Sequence, residues 1–501
     1  MKIPFLENEF WYGGCVKYGL QMPFSKEMNQ EFDFSSNNTP NQAMPILLST
    51  QGRVIWANQG FSAKFEQGNV IVPDFCTLEQ AGNTLKEAYL YATKKYFPFE
   101  GKMPHKELFE KVIYNTWIEL TFFQNQKDIL HYAKQILKND MPAGVLMIDD
   151  GWSEYYGEWQ FHSGKFPTPS EMIAQLKDMG FRLMLWVCPF ISPDSVRFRE
   201  AEKLDILIKN ADGTTLITQW WNGYSAVLDC SNPKATEWLK KQLDALVELG
   251  VDGFKFDAGD SMYYPANAIT YGKTTPDEQS YLWAKFGSQY KWNEYRVTFK
   301  AGGLPLLQRL CDKQHSWGDH GIASLVPDTL LQGLTGHPFG CPDMIGGGEY
   351  LNFQDVQEKG LDEELFVRHA EIACLLPAMQ FSAAPFRILG EESFNAIQKS
   401  IQVRNQYLQY LLELVEKASK TGEPIVRYME YEFPHQGLEK VKDQFMLGDR
   451  YLIAPVYEKD QKGRSVAVPK GDWLYKGEKI TSGGQVFLDS TWGEPIVLEK
   501  V

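Results

Sequence analysis

From about residue 109 the chain repeats a single unit: a short apolar run, a polar turn, then an amphipathic stretch of helical period. Apolar runs too short for helices, each parted from the next by a helix-length segment, pair as parallel strands joined by crossover helices. The units read as Val112–Trp117 with a helix near Lys127–Lys138, Gly144–Asp150 with Ser170–Met179, Arg182–Phe190 with a long excursion, and Ala226–Asp229 with Pro233–Leu249. Gly253–Asp257 closes that series. After a loop-rich insertion at 258–300, Leu304–Cys311 reads as a strand, Gly321–Leu334 as a helix, and Phe339–Gly348 as a strand end with a glycine-rich turn. A chain of 501 residues has room for a barrel of about 250 residues and its appendages. The predicted fold class is therefore α/β, a (β/α)8 TIM barrel with insertions over 109–429. Short alternating runs among Gly, Asn and Pro over 1–108 predict an N-terminal β-sandwich-like domain. The amphipathic segment Phe394–Thr421 leads to a small C-terminal β-sandwich domain over 430–501.

Charge narrows the partners. A formal net charge of −14 without any basic run argues against nucleic acid or an anionic membrane, which need clustered Lys and Arg. Aromatic residues make up 14% of the chain, a supply of flat faces suited to stacking on sugar rings once core packing is accounted for. The seven cysteines are scattered and without CxxC spacing, and read as reduced core residues. The N-terminus lacks the apolar stretch of a signal peptide, and no run of eighteen apolar residues follows, so a soluble, cytoplasmic protein is expected.

In a barrel of this type the active site lies at the C-terminal ends of the strands, so polar residues that end apolar runs are the informative ones. Four places qualify: Asp149 with Asp150, Asp257, Asp312 and Asp343. The two-residue period of Gly253–Asp257 puts Lys255 and Asp257 on one face and the two phenylalanines on the other. A lysine beside a carboxylate keeps it ionised, as a nucleophile requires; the bland reading is a buried Lys–Asp pair bracing the barrel. Aspartates at strand ends also suit magnesium, but there is no histidine–carboxylate ligand spacing and no phosphate-cradling loop, so no metal or cofactor is expected. The residues by themselves indicate a carboxylate-based barrel hydrolase and leave Asp312 and Asp343 unseparated.

The strings WYGG at 11–14, IDDGW at 148–152, KFPTPSEM at 165–172, LWVCPF at 185–190 and WWNGYSAVLD at 220–229 are followed by FKFDAGD at 254–260, DKQHSW at 312–317, PDMIGGG at 342–348, PAMQFS at 377–382 and DQFMLGDRYLIAPV at 443–456. In this order they resemble glycoside hydrolase family 31, the α-glucosidase and α-xylosidase family, in particular its branch of myogenesis-regulating glycosidases and related α-galactosidases. The resemblance implies that Asp257 is the nucleophile and Asp312 the acid/base, with Trp317 on the tryptophan of the acid/base segment. It implies that Asp343 is a structural carboxylate and Arg309 a sugar-binding arginine. Trp117, Asp149, Asp150, Trp186, Trp221, Lys255 and Gln380 complete the expected sugar contacts. Gln380 and Phe381 stand where the family has an arginine–histidine ending, which counts against typical α-glucosidase specificity.

The function expected from this is that of a retaining, exo-acting α-glycosidase working by double displacement, with a raised Asp312 pKa and an Asp257 kept ionised by Lys255. The DDGW string resembles one found in another α-galactosidase family and points to terminal α-galactose; α-glucosidase or α-xylosidase activity is the alternative. A catalytically silent carbohydrate-binding protein is the alternative of a different class. The partner is an oligosaccharide or glycoside, and a homo-oligomer is left open.

Overall fold

The computed structural model describes residues 1–501, the side chain of Gln357 excepted. Its centre is a wholly parallel barrel. Strands β1 (Ile113–Asn115), β2 (Val145–Ile148), β3 (Arg182–Val187), β4 (Gly253–Phe256), β5 (Asn293–Tyr295) and β6 (Gln308–Arg309) lie side by side in chain order. β7 is in two halves, Gly340–Cys341 against β6 and Met344–Ile345 against β8 (Gln380–Phe381), which returns to β1. The sheet thus begins and ends on two pieces of one strand and closes on itself. The break falls where Pro342 has no N–H to donate and Asp343 adopts a φ of 79°, a left-handed conformation that costs a non-glycine residue about 1 kcal/mol or more.

Three expectations fail. Ala226–Asp229 supplies no barrel strand: Ala226 and Val227 end the strand Gly223–Val227, which pairs antiparallel in a separate three-stranded sheet. The segment 258–300, read as loop-rich, holds the helix Pro276–Gly287 and the strand β5. The helix starts on a capping box, in which the Thr275 hydroxyl accepts from the Glu278 N–H and the Glu278 carboxylate accepts in return. β5 was hidden by composition: its residues read Asn-Glu-Tyr because Glu294 faces a polar barrel interior, where an apolar signature has no reason to appear. Leu304–Cys311 in turn contributes only Gln308–Arg309 as strand. Elsewhere local chemistry and packing agree. Pro233–Leu249 is capped by Asn232, carries Pro at its first turn, buries Ala235, Leu239, Leu243 and Leu246 along one face, and stops at Gly250 with φ 116°. The expected alternation in β4 also holds: Phe254 and Phe256 pack outward on Trp283, Tyr290 and Tyr295 while Lys255 points inward.

The N-terminal region forms two sheets, of four and five strands. The second includes Thr298–Phe299 from the loop after β5, parallel to Gln42–Ala43, so the N-terminal region and the barrel share a sheet. At the other end, the helix Glu391–Thr421 leads into a six-stranded sheet and a two-stranded ribbon with their own apolar core around Trp473. All seven cysteines are unpaired, and all but Cys311 are buried. Among the described residues no helix is long and apolar enough to cross a membrane.

Candidate active site

A cavity of about 440 Å³ opens at the C-terminal ends of the barrel strands. Asp257 follows β4 directly and faces this cavity with only 8% of its surface exposed. Its Oδ1 accepts from the N–H of Ala258 (2.8 Å) and from Arg296 Nε (2.9 Å), and its Oδ2 from Trp186 Nε1 (3.1 Å). Burial alone would raise its pKa. The nearby charges of Arg296, Lys255 and Arg309 more than offset burial and hold the carboxyl well below the ordinary range, so Asp257 is anionic. Ala258, at φ 58°, is kept in a left-handed conformation that aims its N–H at the carboxylate it follows.

Sequence reasoning missed Arg296. It ends β5 as the named aspartates end theirs, but β5 itself was unrecognised. The direct cation on Asp257 is this arginine and not Lys255, whose ammonium is bound to Asp149 Oδ2 at 2.6 Å. Arg296 is in turn fixed by Asp260 (2.7 Å) and by the carbonyl oxygen of Pro40 (2.8 Å) from the N-terminal region, so each guanidinium nitrogen has a partner.

Asp149 and Asp150 leave β2 into the deep end of the cavity, both nearly inaccessible to solvent. Asp149 has both oxygens committed, one to Lys255 and the other to the N–H of Asp150 (2.9 Å). Asp150 turns to the cavity, where its Oδ2 accepts from Tyr156 Oη (3.0 Å) and Asn222 Nδ2 (2.6 Å). Burial, followed by the Asp149 charge, pushes its pKa up to about 7. Neither Tyr156 nor Asn222 was picked out from the sequence. Asn222 sits at the turn of the hairpin Ile217–Trp220/Gly223–Val227, inside what read as an excursion.

Asp312 stands at the mouth with 44% of its side chain exposed. The expected raised pKa is absent: burial pushes upward, but Arg309, bound to Asp312 Oδ1 at 2.7 Å, and Lys255 outweigh it and hold the carboxyl below its ordinary value. Asp343 is fully buried outside the cavity lining, its Oδ1 2.6 Å from the same Arg309 nitrogen. Position therefore separates two carboxylates that the residues alone did not.

Of the expected sugar contacts, Trp117, Asp149, Asp150, Trp186, Trp221, Lys255 and Arg309 line the cavity with both proposed catalytic aspartates. Trp221 is half exposed at the rim, 5.5 Å over the Arg296 guanidinium. Gln380 is not with them: it lies fully buried and donates to Glu294 Oε2 at 2.6 Å. It opens β8 and so sits below the strand ends, in a polar layer of Lys255, Glu294, Arg309 and Gln380 that fills the barrel interior. Trp317 likewise turns away, donating to Asp362 (2.9 Å). Asp328, in the helix Leu325–Leu334, is buried against Lys313 Nζ at 2.6 Å. Among the described residues no group of three or more His, Cys, Asp or Glu side chains is arranged to hold a metal ion.

Comparison with known proteins fits this arrangement. The glycosyl hydrolases family 31 TIM-barrel domain matches residues 107–305, and the glycosyl hydrolase family 31 C-terminal domain matches 422–496, together more than half of the chain. The chain is 33% identical over 434 residues to the myogenesis-regulating glycosidase of Mus musculus, covering 83% of this chain and 60% of that protein. It is 25% identical to alpha-glucosidase 2 of Bacillus thermoamyloliquefaciens, covering 74% of this chain and 49% of that one. The chain thus spans about half the length of the curated relatives it matches. Among solved structures, a Flavobacterium johnsoniae family 31 dextranase complexed with isomaltotriose superposes with a TM-score of 0.88 at 19% identity, covering all of this chain and 66% of that one.

Proposed function

The chain belongs to glycoside hydrolase family 31, and we propose that it is a retaining, exo-acting α-glycosidase whose glycone is terminal α-galactose. The observation that carries the reading is the pairing of an anionic, clamped Asp257 with a solvent-facing Asp312 in one cavity closed at its inner end by charged side chains. Asp257 Oδ1 is committed to two donors, which leaves Oδ2 as the attacking oxygen at the anomeric carbon. Asp312 gives its proton to the leaving oxygen, the glycosyl–Asp257 ester forms, and Asp312 then takes a proton from the water that hydrolyses it. The closed inner end fits a single terminal sugar.

The glycone assignment rests on Asp150. A buried carboxylate that accepts from sugar hydroxyls discriminates strongly, because a sugar directing its hydroxyl elsewhere leaves the charge unsatisfied. With Asp149 spent on Lys255, Asp150 is the one free to read the axial 4-hydroxyl and the 6-hydroxyl of galactose. Asp150→Asn and Asp149→Asn are each expected to lower kcat/KM for an α-galactoside by at least about a hundredfold. The first loses the contact itself; the second leaves one amide oxygen for the two donors, Lys255 and the Asp150 N–H, that the carboxylate held. Nitrophenyl α-galactoside, α-glucoside, α-xyloside and α-N-acetylgalactosaminide compared side by side test the assignment. Faster cleavage of the glucoside or xyloside would replace galactose by that sugar, and no cleavage of any would point to a silent carbohydrate-binding protein.

A further inference from the structure

Arg309 offers a single terminal nitrogen to two carboxylates, Asp312 Oδ1 at 2.7 Å and Asp343 Oδ1 at 2.6 Å. The two are otherwise unlike. Asp343 is wholly buried and its second oxygen accepts two backbone N–H groups, from Lys313 (2.7 Å) and Gly348 (3.0 Å). Its three N–H donors favour the anion, and burial opposes them. Among the described residues Asp312 has Arg309 as its one hydrogen-bond donor, and it lies partly open at the cavity mouth. Asp343 also ties together the three pieces that locate Asp312: the residue after it, the glycine turn, and Arg309. That turn leaves no slack, since a Cβ on Gly348 would lie 3.0 Å from the Asp312 carboxyl.

We propose that Asp343 is a positioning residue for the acid/base step, sharing Arg309 with Asp312 so that the two carboxylates hold one proton between them and Asp312 can carry it to the leaving group. The inference rests on the glycosidase reading above. Arg309 bound to Asp312 alone would strip the proton a general acid needs; a second carboxylate on the same guanidinium offsets that pull, as in any pair of like charges that cannot both ionise freely. Burial, opposed by Arg309 and reinforced by Asp312, raises the Asp343 pKa, while at Asp312 burial is outweighed by Arg309 and Lys255, so before substrate binds the pair's proton rests on Asp343. Substrate covers Asp312 and sets an oxygen lone pair against it. The proton then moves to Asp312, and the negative charge passes to Asp343 with its three donors. The other charges facing Asp312 are the cations Lys255 from β4 and Arg296 after β5, with the carboxylates Asp149, Asp150, Asp257, Asp260 and Glu349 also in the cavity wall.

The sign of the test follows. A general acid loses activity as pH rises through the pair's pKa. Removing the Asp343 charge lowers the proton affinity of Asp312, and removing the Arg309 charge raises it. For whichever α-glycoside the enzyme cleaves, Asp343→Asn is expected to move the alkaline limb of kcat/KM down by about one pH unit or more. At neutral pH it is expected to slow alkyl glycosides by tenfold or more and nitrophenyl glycosides by less than about threefold. Arg309→Gln is expected to move the same limb upward; if Asp343→Asn does not fold, Asp343→Ser, which also removes the charge, is read in its place and is expected to move the limb down. Equal losses on both leaving groups with the limb unmoved, or limbs that move the same way in both variants, would overturn the inference while leaving the glycosidase assignment intact. A wild-type enzyme that cleaves no α-glycoside would overturn both.

Discussion

Asp257→Asn is expected to retain less than about a thousandth of the wild-type kcat on every glycoside, including those with the best leaving groups. The first displacement needs an oxygen that can form an ester, and an amide oxygen in the same place is a far poorer nucleophile than the anion that Arg296, Lys255 and Arg309 maintain at Asp257. No leaving group compensates, because the missing bond is the one to the enzyme. The fold is expected to survive. Arg296 keeps Asp260 and the Pro40 carbonyl as partners, and the asparagine oxygen can still accept from Trp186. Steady-state rates on a nitrophenyl glycoside, with a thermal melt beside them, make the measurement. Activity above that residue in a folded variant would remove Asp257 as the nucleophile.

The barrel and most of its cavity were legible in the sequence because parallel strands followed by helices leave a strong period, and because strand ends are where a barrel keeps its polar chemistry. Asp149, Asp150, Asp257 and Asp312 were found by that rule. It failed where the strand could not be seen. β5 is Asn-Glu-Tyr, polar because it faces a charged interior layer, and with it went Arg296, the residue that grips Asp257. The rule over-reached at Asp343, which lies buried outside the cavity, and the resemblance over-reached at Gln380, which opens β8 and is drawn beneath the cavity by Glu294. Asn222, Tyr156 and Pro40 come from a hairpin, a loop and the N-terminal region; their meeting depends on long-range packing that no local period encodes. Lys255 shows the limit of adjacency. Two residues from Asp257 on the same face, it pairs with Asp149, 106 positions away in the chain, because β2 and β4 meet across the barrel interior.

Asp312→Asn is expected to divide substrates by their leaving groups, and this sets it apart from loss of the nucleophile. Where the departing oxygen is basic, as in an alkyl glycoside or a disaccharide, bond cleavage needs the Asp312 proton, and the rate is expected to fall by roughly 10²–10⁴. Where the departing group is a nitrophenolate, the first step needs little help and proceeds. The second step then lacks its base, since Asp312 has to deprotonate the water that attacks the ester on Asp257. The glycosyl-enzyme is therefore expected to accumulate, seen as a burst of nitrophenol and as a gain of one glycosyl unit in the intact mass. In the wild type, NMR is expected to find the first-formed sugar in the α configuration, since two displacements restore the stereochemistry. A uniform loss across leaving groups without any intermediate, or a β first product, would take the acid/base role from Asp312. Asp343 would not inherit it: fully buried outside the cavity wall, it has no path to the leaving oxygen except through Arg309.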